Sequence, residues 1–173
     1  VIVRTKNRPG LLCDALKSIE HQSYRNIEAI VVCDGGEDVR TIVDESKEKI
    51  KSIVYIQHER SLGRAAAANT GVRAASGSWL AFLDDDDVLE PDAIEQHLNT
   101  INKLNAKVVY GKVVREHYSK DGNRTYDIQD YMYDKPFDRQ LILVQNYIPF
   151  IALLFHRDVF SQCGLFDESL AIN

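Results

Sequence analysis

The chain has 173 residues, 45 % hydrophobic and 27 % charged, with a formal net charge of −5 from 21 basic and 26 acidic residues. This is the balance of a globular protein with a sizeable core, which excludes intrinsic disorder. It also argues against a nucleic-acid partner, which would call for a basic face.

"VIVRT" (1–5) is a β-branched apolar run and reads as a buried strand. Pro9 follows at a position suited to a first helical residue, and Leu12, Leu16 and Ile19 then recur on one helix face. "IEAIVVC" (27–33) is a second strand, ended by "DGG" (34–36). The segment 37–50 reads as a charged helix with Val39, Ile42 and Val43 inward. "SIVYIQ" (52–57) is a third strand. After "RSLG" comes an Ala-rich helix over 64–75, weakened at Gly71. "GSWLAFL" (77–83) is a fourth strand, and Pro91 opens a helix with Ile94, Leu98 and Ile101 on one face. Strands alternating with helices imply βαβ units, a parallel sheet and right-handed crossovers.

From about Ala106 the rhythm changes. Strands over 107–118 and 123–128 flank "SKDGN", whose Asp-Gly is a hairpin turn signal. "YIPFIALLFH" (147–156) reads as another strand and 157–164 as a short helix with Gly164 as its cap. The expected organisation is a single domain over 1–173, with a nucleotide-binding-like half to residue 105 and a mixed α/β half over 106–173. The chain opens at Val1 inside a strand-like run and stops at Asn173 with no element-ending signal, so it reads as a piece of a longer protein.

In an open α/β sheet, ligands bind beyond the carboxyl ends of the strands. Those ends carry Thr5, Lys6, Asn7 and Arg8; Asp34, Gly35 and Gly36; Arg60 to Arg64; and Asp84 to Asp87. The four aspartates pose a question of charge. Two carboxylates about 5 Å apart repel by roughly 3 kcal/mol at an effective dielectric near 20. No Lys or Arg stands between Ser78 and Asn102 to relieve them. A divalent cation bridging phosphates would supply the missing counter-charge, since Mg²⁺ and Mn²⁺ sites typically combine one or two carboxylates with phosphate oxygens. Taken singly, each feature has a plainer reading. The acidic run can be a solvated loop, Asp34-Gly35-Gly36 a turn, Arg64 a surface helix start and Thr5 a strand residue. Their joint placement at successive strand ends is the signal.

Other chemistry finds little support. There is no GxGxxG, GxxxxGK[ST] or GxSxG motif, and Val88 and Leu89 break an EF-hand pattern. The five histidines are dispersed and read as surface or satisfied core residues. The three cysteines, Cys13, Cys33 and Cys163, form no CxxC pair, so a reducing compartment fits. The Asn123-Arg124-Thr125 sequon matters only in a secreted chain. No apolar stretch is long enough to cross a bilayer.

The order and spacing of these segments resemble the family 2 glycosyltransferases, nucleotide-sugar-dependent inverting enzymes of GT-A fold. "VIVRTKNRPG…HQSYRNIEAIVVCDGGED" is similar to the family's first strand, turn, helix, "Q-x-Y" and "DDGS" segments. "SLGRAAAANTGVRAASGSWLAFLDDDDVLEPD" and "GLFDESL" are similar to its central and late signatures. The resemblance implies a Rossmann-like, mostly parallel sheet with helices on both faces, followed by an acceptor half. It implies a donor site of Thr5, Asn7, Arg8, Asp34, Gly35, Arg64, Asp84 and Asp85, with Asp34 accepting from a uracil-type N–H. Asp86 with Asp84 would hold Mn²⁺ or Mg²⁺. The donor would be a UDP-sugar. The acceptor would be a glycan, a lipid-linked oligosaccharide or a protein, met in the cytoplasm or at its membrane face in polysaccharide or glycoconjugate synthesis. Peripheral membrane attachment would come through regions outside this chain.

Several residues depart from the pattern: Cys33 for the first aspartate of the pair, Gly36 for serine, Ser61 for asparagine, Lys6 for tyrosine and Arg4 for proline. The family's general base is expected beyond Asn173, with Asp167 and Glu168 supporting the acceptor side or the fold. The alternatives are a sugar-nucleotide nucleotidyltransferase, which would need a fuller basic glycine loop after strand one, and a non-catalytic nucleotide-sugar-binding domain.

Overall fold

A computed structural model of the chain describes residues 1–114, 116–118, 124–126 and 135–170. Its centre is a six-stranded sheet in the order β3-β2-β1-β4-β8-β5. β1 (Ile2–Thr5), β2 (Glu28–Cys33), β3 (Ser52–Gln57) and β4 (Trp79–Asp84) run parallel, joined by α1 (Pro9–Glu20), α2 (Arg40–Glu45) and α3 (Arg64–Ala74). After α4 (Ala93–Leu104), β5 (Val108–Tyr110) takes the sheet edge. A short antiparallel pair, β6 (Glu116–Tyr118) and β7 (Arg124–Tyr126), stands apart from it. β8 (Leu153–His156) then inserts antiparallel between β4 and β5, and α5 (Asp158–Cys163) follows.

The alternation of side chains along each strand builds two layers. Val3, Val31, Ala81 and Leu83 face Leu12, Leu16 and Ile19 of α1, Val43 of α2, and Ile94 and Ile101 of α4. Ile2, Ile30, Val32, Leu80 and Phe82 face Ala67, Ala68 and Val72 of α3, with Phe150, Phe155, Phe160 and Phe166 packed alongside. Gly71 of α3 packs directly on β1: a Cβ there would stand 2.2 Å from Cγ2 of Ile2. The glycine that weakens this Ala-rich helix is the one that lets it dock.

Three elements differ from the sequence expectation. The helix expected over 37–50 is helical only at Arg40–Glu45; its next residue, Ser46, donates its hydroxyl to buried Glu20 (2.8 Å), and turns carry the chain to Ile50. The strand expected over 107–118 is interrupted at Gly111, which donates its N–H to the Ala152 carbonyl and packs closely on the His97 ring, 3.1 Å from where a Cβ would stand. The strand expected over 147–156 begins as a 3₁₀ turn at Phe150–Ala152, following Pro149, and becomes β8 only at Leu153. The Asp121-Gly122 turn and the Asn123 sequon lie outside the described residues.

Candidate functional site

The register aligns the strand ends, with Thr5 beside Cys33, Arg4 beside Asp84, and Cys33 beside Gln57. The same alternation that builds the core then decides what each aspartate meets. Arg4 and Asp84 fall on the α3 face. Nε of Arg4 donates to Oδ1 of Asp84 at 2.9 Å, and Nη2 pairs with the same oxygen. Nη1 of Arg4 donates to the Arg64 carbonyl (3.2 Å), and the guanidinium lies 5.3 Å from the centre of the Phe150 ring. Thr5 and Asp85 fall on the α1 face. Asp85 is 1 % exposed; its Oδ2 accepts from the Thr5 hydroxyl (2.7 Å) and from Nε of Arg8 (3.2 Å). Its Oδ1 forms an ion pair with Nη2 of Arg8 without hydrogen-bond alignment. Nη1 of Arg8 reaches exposed Asp86 at 2.8 Å. Neighbouring carboxylates are thus sent to opposite faces, and two guanidiniums meet three of the four.

Asp87 is the fourth. Burial pushes its carboxyl up to about 6, the charges of Asp86, Asp84 and Asp85 add to the shift, and Arg4 opposes it. Asp84, Asp86 and Asp87 each place a carboxylate oxygen within 4.8 Å of the others. Opposite ligands of a Mg²⁺ octahedron stand about 4.2 Å apart, so small side-chain rotations would gather the three. An all-oxygen set short of positive charge fits a hard divalent cation. The sequence reading places Asp87 at the strand end but names only Asp86 and Asp84 for the metal.

Asp34 occupies the end of β2 and is buried. Its Oδ1 accepts from Nδ1 of His58 and the Leu62 N–H, both at 2.8 Å. Its Oδ2 accepts from the Ser61 hydroxyl (2.7 Å) and the Gly63 N–H (3.0 Å). Burial raises its pKa, but the Leu62, His58, Ser61 and Gly63 hydrogen bonds outweigh it and hold the carboxyl below its ordinary value. Gly35, at φ +70°, lets this happen: a Cβ there would lie 2.1 Å from the Ser61 nitrogen. Asn7, at φ +56°, accepts the Glu37 N–H on its side-chain oxygen (2.8 Å), tying the loop after β1 to the loop after β2.

The expected residues therefore meet at one edge, with different duties. Thr5 and Asp85 are bonded to each other, and Asp85 also to Arg8. Strand alternation turns Asp85 inward. Asn7 and Gly35 lock loops together. Asp84, Asp86 and Arg64 line the edge, and no ion pair holds the Arg64 side chain among the described residues. Asp167 and Glu168 are engaged in the fold. Asp167 accepts from Ser169, while Glu168 accepts from Asn69 (2.7 Å), whose amide also holds Phe166 from both sides. Sequence reasoning missed His58 and the duty of Arg4. A cleft of about 430 Å³ opens at the opposite edge, by the amino ends of the strands, away from these groups.

The sequence model described as "Glycosyl transferase family 2" matches residues 1–164. The chain belongs to that family. An uncharacterised glycosyltransferase of Rickettsia prowazekii (strain Madrid E) is 33 % identical over 174 residues, which cover 98 % of this chain and 54 % of the relative. Glycosyltransferase GlyA of Streptococcus pneumoniae is 34 % identical over 148 residues, 85 % of this chain and 21 % of GlyA. Among solved structures, residues 1–349 of S. aureus TarS superpose with a TM-score of 0.76 at 19 % identity, covering 99 % of this chain and 50 % of that one. TarS is also known with UDP and with UDP-GlcNAc. The mannosyltransferase PcManGT of Pyrobaculum calidifontis, in complex with GDP-Man and Mn²⁺, gives 0.71 at 19 % identity, covering 96 % of this chain and 46 % of that one. These likenesses establish the GT-A fold. The family 2 chain described here spans about half the length of the R. prowazekii relative. No helix among its described residues is long and apolar enough to cross a membrane.

Proposed function

We propose that the carboxyl edge of the sheet binds a nucleotide-sugar, a UDP-sugar by preference. The sugar then passes, with inversion and metal assistance, to an acceptor hydroxyl. The observation that carries this is the gathering of Asp34, Arg8 and the Asp84–Asp86–Asp87 triad at one edge. The structures of related fold that hold UDP, UDP-GlcNAc, or GDP-Man with Mn²⁺ support it.

On this reading Asp84, Asp86 and Asp87 hold Mg²⁺ or Mn²⁺, which would offset charge developing on the departing diphosphate. Nη1 of Arg8, now on Asp86, and the exposed Arg64 guanidinium are placed for phosphate oxygens. Asp34 has no spare lone pair, so a base N–H reaches Oδ2 by displacing Ser61, an exposed residue whose hydroxyl swings away about one bond. We place the general base outside the described residues, since Asp167 and Glu168 are bonded into the fold. We assign the acceptor to a glycan, lipid-linked or protein class, met at the cytoplasmic membrane face. The three free cysteines agree with a reducing compartment. Polysaccharide or glycoconjugate synthesis is the matching pathway. The family match sets aside the nucleotidyltransferase alternative.

Thermal unfolding with UDP or GDP, each with and without Mn²⁺, tests the assignment. At ligand one hundred times its dissociation constant, stabilisation of about 2.7 kcal/mol is expected. UDP should exceed GDP, and Asp86→Ala should lose the metal-dependent part. Equal stabilisation of wild type and variant would sink the metal assignment, and no response to either nucleotide would sink the donor site.

A further inference from the structure

His58 follows β3, and its side chain is 10 % exposed. It ties three elements together. The backbone N–H donates to the Cys33 carbonyl at the end of β2 (2.9 Å), Nδ1 meets Oδ1 of Asp34 (2.8 Å), and Nε2 meets the Thr70 hydroxyl on α3 (3.0 Å). A carboxylate only accepts hydrogen bonds, so Nδ1 carries the proton that faces Asp34. Thr70 can give or take a hydrogen bond and serves as the second anchor. Both ring nitrogens are satisfied, as the sequence reading allows, but the partner on Nδ1 is a carboxylate of the candidate site.

The four donors to Asp34 are unequal. Leu62 and Gly63 offer backbone N–H groups, which move only if the loop moves. Ser61 offers a rotatable hydroxyl on an exposed residue. His58 offers a ring that is only 10 % exposed, the more enclosed of the two side chains among them. We propose that His58 is a positioning residue of the donor site. It holds the plane of the Asp34 carboxylate through Oδ1 and anchors that carboxylate to α3 through Thr70, while Ser61 on Oδ2 is the donor that a nucleobase N–H exchanges with. The inference rests on the donor-site reading above and adds to it the residue that keeps Asp34 fixed during the exchange. Without the ring, the carboxylate turns about its own Cβ bond, and the Ser61–Gly63 loop loses the acceptor that shapes it.

Two substitutions separate the halves of the bridge. In His58→Asn the amide nitrogen stands near the Nδ1 position, preserving the bond to Asp34 and giving up Thr70. In His58→Gln the amide reaches toward Thr70 and gives up Asp34. His58→Leu gives up both. The first readout uses no nucleotide: amide hydrogen exchange at Leu62 and Gly63. Protection should fall by about tenfold in His58→Gln and His58→Leu, the scale of one hydrogen bond to a charged group, and stay near wild type in His58→Asn. The second is the dissociation constant for UDP with Mn²⁺, which should weaken by about tenfold in the same two variants and recover in His58→Asn. A merely structural histidine would lower all three variants together, in step with their melting temperatures. Unchanged loop protection in His58→Gln overturns the proposal, as does UDP binding equal to wild type in that variant. A wild-type chain that binds no nucleoside diphosphate overturns the donor reading instead, and the exchange result tells the two failures apart. If His58→Leu does not fold, the Asn and Gln pair decides.

Discussion

Gln22 offers the sharpest test of how the acidic loop is held. It follows α1 and is 0 % exposed, yet it is polar and fully used. Its amide nitrogen donates to the Glu90 carbonyl (2.6 Å) and the Ser18 carbonyl (3.2 Å), and its oxygen accepts the buried Ile94 N–H (3.2 Å). Next to it, Ser23 donates its N–H to the Pro91 carbonyl (2.7 Å). The loop carrying Asp85 to Asp87 is therefore clamped at one end by β4 and at the other by α1. Gln22→Leu keeps the volume and removes both amide functions. The Ile94 N–H would be left buried without a partner, costing about 1–3 kcal/mol, while the Glu90 carbonyl, on an exposed residue, would lose about 1 kcal/mol. The expected loss is about 2–4 kcal/mol, a large part of a typical stability of about 5–15 kcal/mol. It should appear in urea unfolding as a lower midpoint at unchanged slope, because the core is preserved. Gln22→Glu should recover more at acid pH than Gln22→Leu, since a protonated carboxyl can again donate to Glu90. A Gln22→Leu chain within about 0.5 kcal/mol of wild type, the range of ordinary surface substitutions, would refute the clamp.

Other outcomes follow from the same geometry. Asp34 has its pKa held below the ordinary 3.8, so its contribution to stability is present above that value and lost as pH falls through the lower folded value. Asp34→Asn should flatten the stability–pH curve below about pH 4, and an unchanged acid slope would count against the four-donor arrangement. Arg4→Met should cost about 1–3 kcal/mol in chelator, discounted for partial exposure, with part of the loss recovered by Mn²⁺; no recovery would mean that the three carboxylates do not share a cation. Gly71→Ala gains about 1 kcal/mol of helix propensity but drives a Cβ to 2.2 Å from Ile2. Overpacking of about 1–3 kcal/mol should win, and a stabilised variant in thermal unfolding would show that α3 shifts freely.

Much of this site could be read from the chain because it follows from periodicity. Parallel strands with right-handed crossovers bring Thr5, Asp34 and Asp84 to one edge whatever their side chains do. The period of two along β1 and β4 explains more than sequence reading took from it. Continued one residue past the core, it sends Asp84 to Arg4 and Asp85 to Thr5 and Arg8. The question of how four adjacent carboxylates coexist is therefore answered partly inside the chain: β1 and its loop supply two counter-charges, and alternation separates the neighbours. The contacts of His58 and Gln22 follow no period. His58 meets Asp34 and Thr70 because of the course of the loop after β3, and Gln22 meets Glu90 because of the approach of α4. Both are single polar side chains enclosed between elements distant in sequence, and only the packed structure assigns them. The overshoots at 37–50, 107–118 and 147–156 have the same origin. A hydroxyl bonded to Glu20, a glycine facing His97 and a proline before the 3₁₀ turn each override a propensity that is local. Arg4 is the departure that matters most for chemistry. Where the family resemblance leads one to expect proline, this chain carries a guanidinium fixed on the first aspartate of the acidic run. A cation bound there would meet Asp84 and Asp86 already paired with Arg4 and Arg8, which leaves Asp87 as the carboxylate of the three that neither guanidinium meets.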